Sequence, residues 1–215
     1  MLALDHFIYA GHDIESLSTE YSSKFNFKAV YGGQHEKWGT YNYLAYFSNN
    51  AYIEWLGIEN EHLASQSDLP LIKHLIHQLN NKQYGLFQFA LRTDDLNAYI
   101  SHFDKNKIPY TGPYNGKRTL SNGKIITWRM LFPTYDYTKE TLPFLIEWDQ
   151  AENERVNVGL INANALTKIT FSGTSLENFL FIYNLPFKKR IRQSVRLKNT
   201  TLAFRETGKL DLTIN

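Results

Sequence analysis

Apolar and polar positions along the chain follow two periods, and the switch between them recurs. The stretches LDHFIYAGHDI (4–14), LFQFALRTDDL (86–96) and LTKITFSGTSL (166–176) each open an apolar run with a polar residue, His6, Gln88 or Lys168. Seven residues later stands Asp13, Asp95 or Ser175. Asp or Ser at that point predicts a helix N-cap, because its side-chain oxygen accepts from the free N–H groups of a first helical turn. Amphipathic stretches follow each cap: DIESLSTEYSSKF, DLNAYISHFDKNK and SLENFLFIYNL. Each unit therefore begins strand, then helix.

Beyond each helix the period shortens toward two. The first unit continues FKAVYGG, QHEKWGT, YNYLAYFS, the turn NN and AYIEWLGI; the second IPYTGPYNGKRTL, the turn SNG, IITWRMLF and LPFLIEW; the third KKRIRQSVRL, TTLAFRE, the turn TG and KLDLTI. Asn-Asn, Asn-Gly and Thr-Gly between strand-like runs punctuate hairpins. The pattern predicts three β-α-β-β-β copies, at about 1–58, 84–149 and 165–215. Between the first two, SDLPLIKHLIHQLNN has helical spacing at Leu71, Leu75, Ile76 and Leu79, predicting a linker helix over about 67–80 capped by Ser67 or Asp68. His74 and His77 lie three apart there, and the reading is a solvated helix rather than a metal site.

Composition adds exclusions. The chain has 215 residues, 43% hydrophobic and 20% charged, as in ordinary globular proteins, and lacks the long apolar run a membrane span needs. The expectation is a cytoplasmic protein. Without cysteine there are no disulfides, thiolate metal sites or cysteine nucleophiles, so any metal must take nitrogen and oxygen ligands. Residues 165–215 hold nine Lys/Arg against three acids, a net +6, which leaves −4 for the rest of a chain that totals +2. The basic run KKRIRQSVRLK has no aromatic residue interleaved for stacking on bases, so it reads as a charged edge strand and no nucleic-acid partner is expected.

The last strand of each unit places one acid, Glu54, Glu147 or Asp211, inside an apolar segment. A carboxylate there is costly unless it is paired, hydrogen-bonded or bound to a cation.

Together with GGQHEKWGTYNYL, KRTLSNGKIITWR and LPFLIEW, these residues resemble the vicinal oxygen chelate superfamily of glyoxalase I, extradiol dioxygenases and fosfomycin-resistance proteins. More narrowly, the chain resembles a glyoxalase-like domain subfamily over about residues 3–149. The resemblance implies an α+β fold in which paired βαβββ modules form an open curved sheet, a cup, in one domain over 1–150, with the third βαβββ-like module outside it. It also implies metal ligands from the first and last strands of each module: His6, Glu54, Gln88 and Glu147. Such a set would hold Zn²⁺, Ni²⁺, Co²⁺, Mn²⁺ or Fe²⁺ with open positions for substrate oxygens; no organic cofactor is expected. By strand alternation Phe7 and Tyr9 would pack beneath the helices and His6 would point into the cup, with Gln88 separated from Phe87 and Phe89, and Glu147 from Ile146 and Trp148. Without metal, the two glutamates would share a proton or pair with Arg129.

At the rim, His35, Trp38, Thr40 and Asn42 combine a titratable group, an aromatic wall and hydrogen-bonding side chains, while Arg118 and Arg129 suit an anion. The expected function is a glyoxalase-like, metal-dependent enzyme of lyase or isomerase type, acting on a small oxygen-rich substrate with Glu54 or Glu147 moving a proton. The alternative is a non-catalytic protein that sequesters a small ligand in the same cup. In the third module Lys168 and Asp211 stand in the places of the polar pair, so that module is expected to carry no metal. Its apolar positions Ile169, Phe171, Leu202, Phe204 and Leu212 need cover, and a homodimer is the expected source.

Overall fold

The computed structural model describes residues 2–120, 123–186, 193–206 and 210–215. The predicted turns at SNG and TG, and Lys188, Lys189, Arg190, Arg192 and Lys209 of the basic tail, fall wholly or partly outside them. The first unit comprises β1 (Ala3–Ala10), α1 (Ile14–Phe25), β2 (Val30–His35), β3 (Thr40–Phe47) and β4 (Ala51–Ile58). Two helices follow, α2 (Glu61–Ser65) and α3 (Pro70–Asn80). The second unit is β5 (Gly85–Arg92), α4 (Leu96–Asn106), β6 (Tyr110–Thr119), β7 (Ile125–Pro133) and β8 (Phe144–Trp148). After α5 (Glu152–Arg155) and β9 (Ile161–Asn162) come β10 (Leu166–Phe171), α6 (Leu176–Ile182), β11 (Ser194–Arg196), β12 (Thr201–Phe204) and β13 (Asp211–Ile214).

All three predicted caps form. Asp13 accepts from Ser16 N at 3.0 Å, Asp95 from Ala98 N at 2.9 Å and Ser175 from Asn178 N at 3.1 Å. The linker helix starts later than its predicted cap, since Pro70 takes the first helical position, where a missing N–H costs nothing. Ser67 instead accepts from Leu69 N in the preceding turn.

The first two units join edge to edge in one strongly curled sheet ordered β2-β3-β4-β1-β5-β8-β7-β6, with β9 beside β3. In each, the last strand runs parallel to the first, which places β4 beside β1 and β8 beside β5. One face carries Phe7, Tyr9, Ile53, Trp55, Phe89 and Leu145 against α1 and α4. The concave face carries Ile8, Ala10, Leu56, Phe87, Phe144 and Ile146, and α3 lays Leu71, Ile72, Leu75 and Leu79 into it, with Leu69 just before the helix. The cup is therefore partly filled by its own linker.

The third unit keeps the predicted order of elements but pairs differently. Its sheet runs β11-β12-β10-β13, with β12 parallel to β10 and β13 antiparallel on the other edge. Asp211 thus does not stand where Glu54 and Glu147 do, because β13 takes the position against β10 that β5 takes against β1. Cover for the apolar positions comes from within the chain: Ile169, Phe171, Leu202 and Phe204 are buried in the core beneath the main sheet, and Phe171 meets Phe89 edge-on at 5.3 Å. Leu212 is partly buried against the same core. The Tyr183 hydroxyl donates to Pro143 O at 2.6 Å, and Asn199 accepts from Leu4 N and donates to Leu4 O and Asn49 O at 2.8–2.9 Å. The five apolar positions expected to need cover are thus packed wholly or partly within the chain.

Candidate active site

Strand β1 presents His6 to the cup, as alternation requires, and locks it from three sides. Its ring stacks on Tyr52 at 4.5 Å and meets Phe144 edge-on at 5.7 Å. His6 Nδ1 lies 2.7 Å from Asp5 Oδ1, while Nε2 faces Glu54 Oε2 at 3.4 Å. Glu54 Oε1 accepts from Asn42 Nδ2 at 2.5 Å. Asp5 is fully buried and its other oxygen accepts from Arg92 Nη1 and Trp148 Nε1, each at 3.0 Å. Burial opposes ionisation of Asp5, but the hydrogen bond and charge of His6, with Arg92 and Arg155, outweigh it and hold the carboxyl well below its ordinary value. An ionised Asp5 can only accept, so His6 donates to it through Nδ1, and Nε2 faces Glu54.

Asp5 escaped the sequence reading, although the rule that selected Glu54, an acid inside an apolar strand, applies equally to LDHFIYA. Strict alternation places it opposite His6. The register of β1 on β5 shifts between Leu4 and His6, and that irregularity lets adjacent side chains meet.

Beside this cluster lies a small, partly open cavity. His35, Trp38, Thr40, Asn42 and Arg118, all expected at the rim, line it. Its remaining walls are largely apolar, from Leu69, Leu71 and Ile72 of the linker to Met130 and Ile146 of the second module. The outer strands β2 and β6 approach each other across its mouth, where His35, Trp38, Arg118 and Trp128 also border a wider outer groove. Two glycines make this closure possible. A Cβ at Gly32 would meet Asn42 Oδ1 at 2.3 Å, and the Arg118 stem crosses Gly33, whose φ of +130° suits glycine. His35 Nδ1 lies 3.0 Å from Thr40 Oγ1. Burial lowers the His35 pKa to about 4, with Arg118 and His6 adding to the effect and Glu54 opposing it, so the imidazole is neutral at pH 7. Arg118 is 9% exposed, its Nε has no hydrogen-bond partner, and it forms no ion pair among the described residues.

Gln88, Glu147 and Arg129 lie elsewhere. The β1–β5 register shifts again between Ile8 and Tyr9, next to Gln88, which turns away from the cup. Its Nε2 donates to the Tyr135 hydroxyl at 2.7 Å and to Leu142 O at 3.1 Å. On β8 the cup-facing residues are Phe144, Ile146 and Trp148, so Glu147 faces the helices. There it accepts from Leu96 N at 3.1 Å, capping the start of α4, and pairs with Arg129. Only two of the four expected metal ligands, His6 and Glu54, converge, and the described residues contain no group of three His, Asp or Glu side chains placed to hold a metal ion. The four-donor set does not fit the observed register.

Comparison with known proteins agrees with the fold. The family described as a glyoxalase-like domain matches residues 4–183. No curated protein matches the chain in sequence. A hypothetical protein from Staphylococcus aureus superposes with a TM-score of 0.76 at 20% identity, covering 96% of this chain and 87% of its own. The methylmalonyl-CoA epimerase of Streptomyces coelicolor, in complex with 2-nitronate-propionyl-CoA, gives 0.51 at 17% identity over 70% of this chain and 96% of its own. That of Mycobacterium tuberculosis gives 0.50 at 17% over 70% and 89%. At these identities the likeness is one of fold. Among the described residues no helix is long and apolar enough to cross a membrane.

Proposed function

This chain belongs to the glyoxalase-like domain family, and from that premise we propose that its cup is a proton-transfer active site of isomerase or lyase type. The observation that carries the reading is the buried Asp5–His6–Glu54 series at the wall of the cup's cavity. Glu54 Oε2 accepts a proton from a substrate carbon adjacent to a carbonyl group, leaving an enolate. A proton, exchanged with solvent while it rests on the side chains, then returns to that carbon or a neighbouring one, so no oxidant or co-reactant is consumed. His6 Nε2 lies close enough to Glu54 to hold the proton between the two steps, and Asp5 stabilises the imidazolium that forms. Asn42 fixes the second Glu54 oxygen, which keeps the reacting one aimed. Apolar walls exclude water, which strengthens each of these interactions.

The test is exchange of substrate C–H for C–D in D2O, followed by NMR over small 2-oxo acids, hydroxyaldehydes and acyl thioesters. One class is expected to exchange, with Glu54→Gln and His6→Asn each slower by about 10²-fold or more. Exchange of no class, or exchange indifferent to both variants, overturns the proposal. Binding without exchange supports the sequestering protein instead.

A further inference from the structure

Arg118 is a largely buried cation that forms no ion pair among the described residues. It projects from β6 across Gly33 into the mouth of the chamber, 9% exposed, with Nε unpartnered. The other buried charges nearby are satisfied: Asp5 by three donors, Glu54 by Asn42 and His6. Keeping a guanidinium largely out of water without an ion-pair partner is unfavourable for the folded state. Such a cost is retained where the missing partner arrives as a ligand, because a planar fork of donors matches a carboxylate in two-point contact.

We infer that the cup takes a small monocarboxylate with an apolar chain, its carboxylate held by Arg118 and its chain lying against the aliphatic and aromatic walls. The inference rests on the proton-transfer reading only for the choice among carboxylates. A carbon acid beside a carbonyl group, combined with a carboxylate, makes a 2-oxo acid the simplest candidate. Three features support the class. Polar groups gather at the His6, Glu54, His35 and Arg118 end, whereas Leu69, Leu71, Ile72, Met130 and Ile146 make the remaining wall apolar. His35, held neutral by burial, does not compete for the anion. Among the described residues Arg118 is the one Lys or Arg that lines the cavity, which favours one negative charge over two.

The experiment uses the full-length protein and 4-methyl-2-oxopentanoate, with 4-methyl-2-oxopentanamide as its uncharged counterpart. Binding is read by tryptophan fluorescence, since Trp38, Trp128 and Trp148 line the chamber, and exchange at C3 is followed in parallel. Wild-type protein is expected to bind the acid at least about tenfold more tightly than the amide. Arg118→Gln should remove that preference and Arg118→Lys should keep part of it. In the absence of ligand, Arg118→Gln should melt no lower than wild type, because it removes an unpaired buried charge. Equal binding of acid and amide by wild type, undiminished binding of the acid by Arg118→Gln, or no binding of the acid at millimolar concentration would each overturn the inference, as would a lower melting temperature of Arg118→Gln. Binding of the acid without C3 exchange leaves this inference standing and counts against proton transfer alone.

Discussion

Replacing Asp5 by Asn tests the site at the point where structure and chemistry meet. The carboxylate is fully buried and serves His6, Arg92 and Trp148 at 2.7, 3.0 and 3.0 Å. Removing one partner of a buried ion pair typically costs about 3–5 kcal/mol, because the other charge stays desolvated. The Arg92 side chain keeps 15% exposure and its bond to Asn50 O, which places the expected loss near the lower end, about 3 kcal/mol. Chemically, the amide oxygen can serve Arg92 and Trp148 only by turning the amide nitrogen toward His6 Nδ1. His6 must then accept there and carry its proton on Nε2, facing Glu54 without a lone pair. Proton transfer should fall about 10²–10⁴-fold, beyond what partial unfolding explains. Urea unfolding at pH 7, with the slope unchanged, gives the first number; deuterium exchange under conditions where both proteins are folded gives the second. The variant should also lose one acid transition. The stability that Asp5 supplies is present above its ordinary value of 3.8 and disappears as pH falls through its lower folded value. A variant within about 0.5 kcal/mol of wild type that exchanges at the wild-type rate would refute the reasoning.

Three further outcomes are expected. His35 and His74, whose pKa values burial lowers from 6.5 to about 4, bind protons first in the unfolded chain; stability is therefore full above about pH 6.5 and falls toward pH 4, by about 2 kcal/mol per histidine at pH 4.5. Urea midpoints at pH 7 and 4.5 should show a smaller drop in the His35→Gln/His74→Gln double variant, and an equal drop would contradict the assignment. Glu147→Gln should lower stability by about 1–2 kcal/mol through the α4 cap and the Arg129 pair, yet leave exchange within a factor of about two; loss of activity at unchanged stability would return Glu147 to the site. Asn199→Ala should cost about 2–4 kcal/mol, because it strips hydrogen bonds from Leu4 N, Leu4 O and Asn49 O where the third unit docks. A melting curve matching that of wild type would show that the packing of Phe171 and Tyr183 suffices there.

Local chemistry written in the sequence determined much of this protein. Asp13, Asp95 and Ser175 begin their helices because an N-cap needs only its own next turn. The repeated order of strand and helix, the two paired modules and the placement of His6 in the cup follow from periodicity and from the family resemblance. His35, Trp38, Thr40, Asn42 and Arg118 line the cavity, since a short segment or a single strand carries each there. Tertiary structure decided what depends on register. One-residue irregularities between β1 and β5 turned Gln88 away and brought Asp5 beside His6, although no local pattern marks either irregularity. Glu147 was assigned to the wrong face because an acid between Ile146 and Trp148 looks alike whether it points into a cup or caps a helix; the position of the Leu96 N–H settled it. Likewise β13 crossed to the far edge of β10, and the core beneath the main sheet took in the apolar positions of the third unit. Each of these outcomes turns on partners distant in sequence, which compete for the same strand edge or apolar face. A reading that proceeds along the chain sees both contenders and has no measure of which packs better.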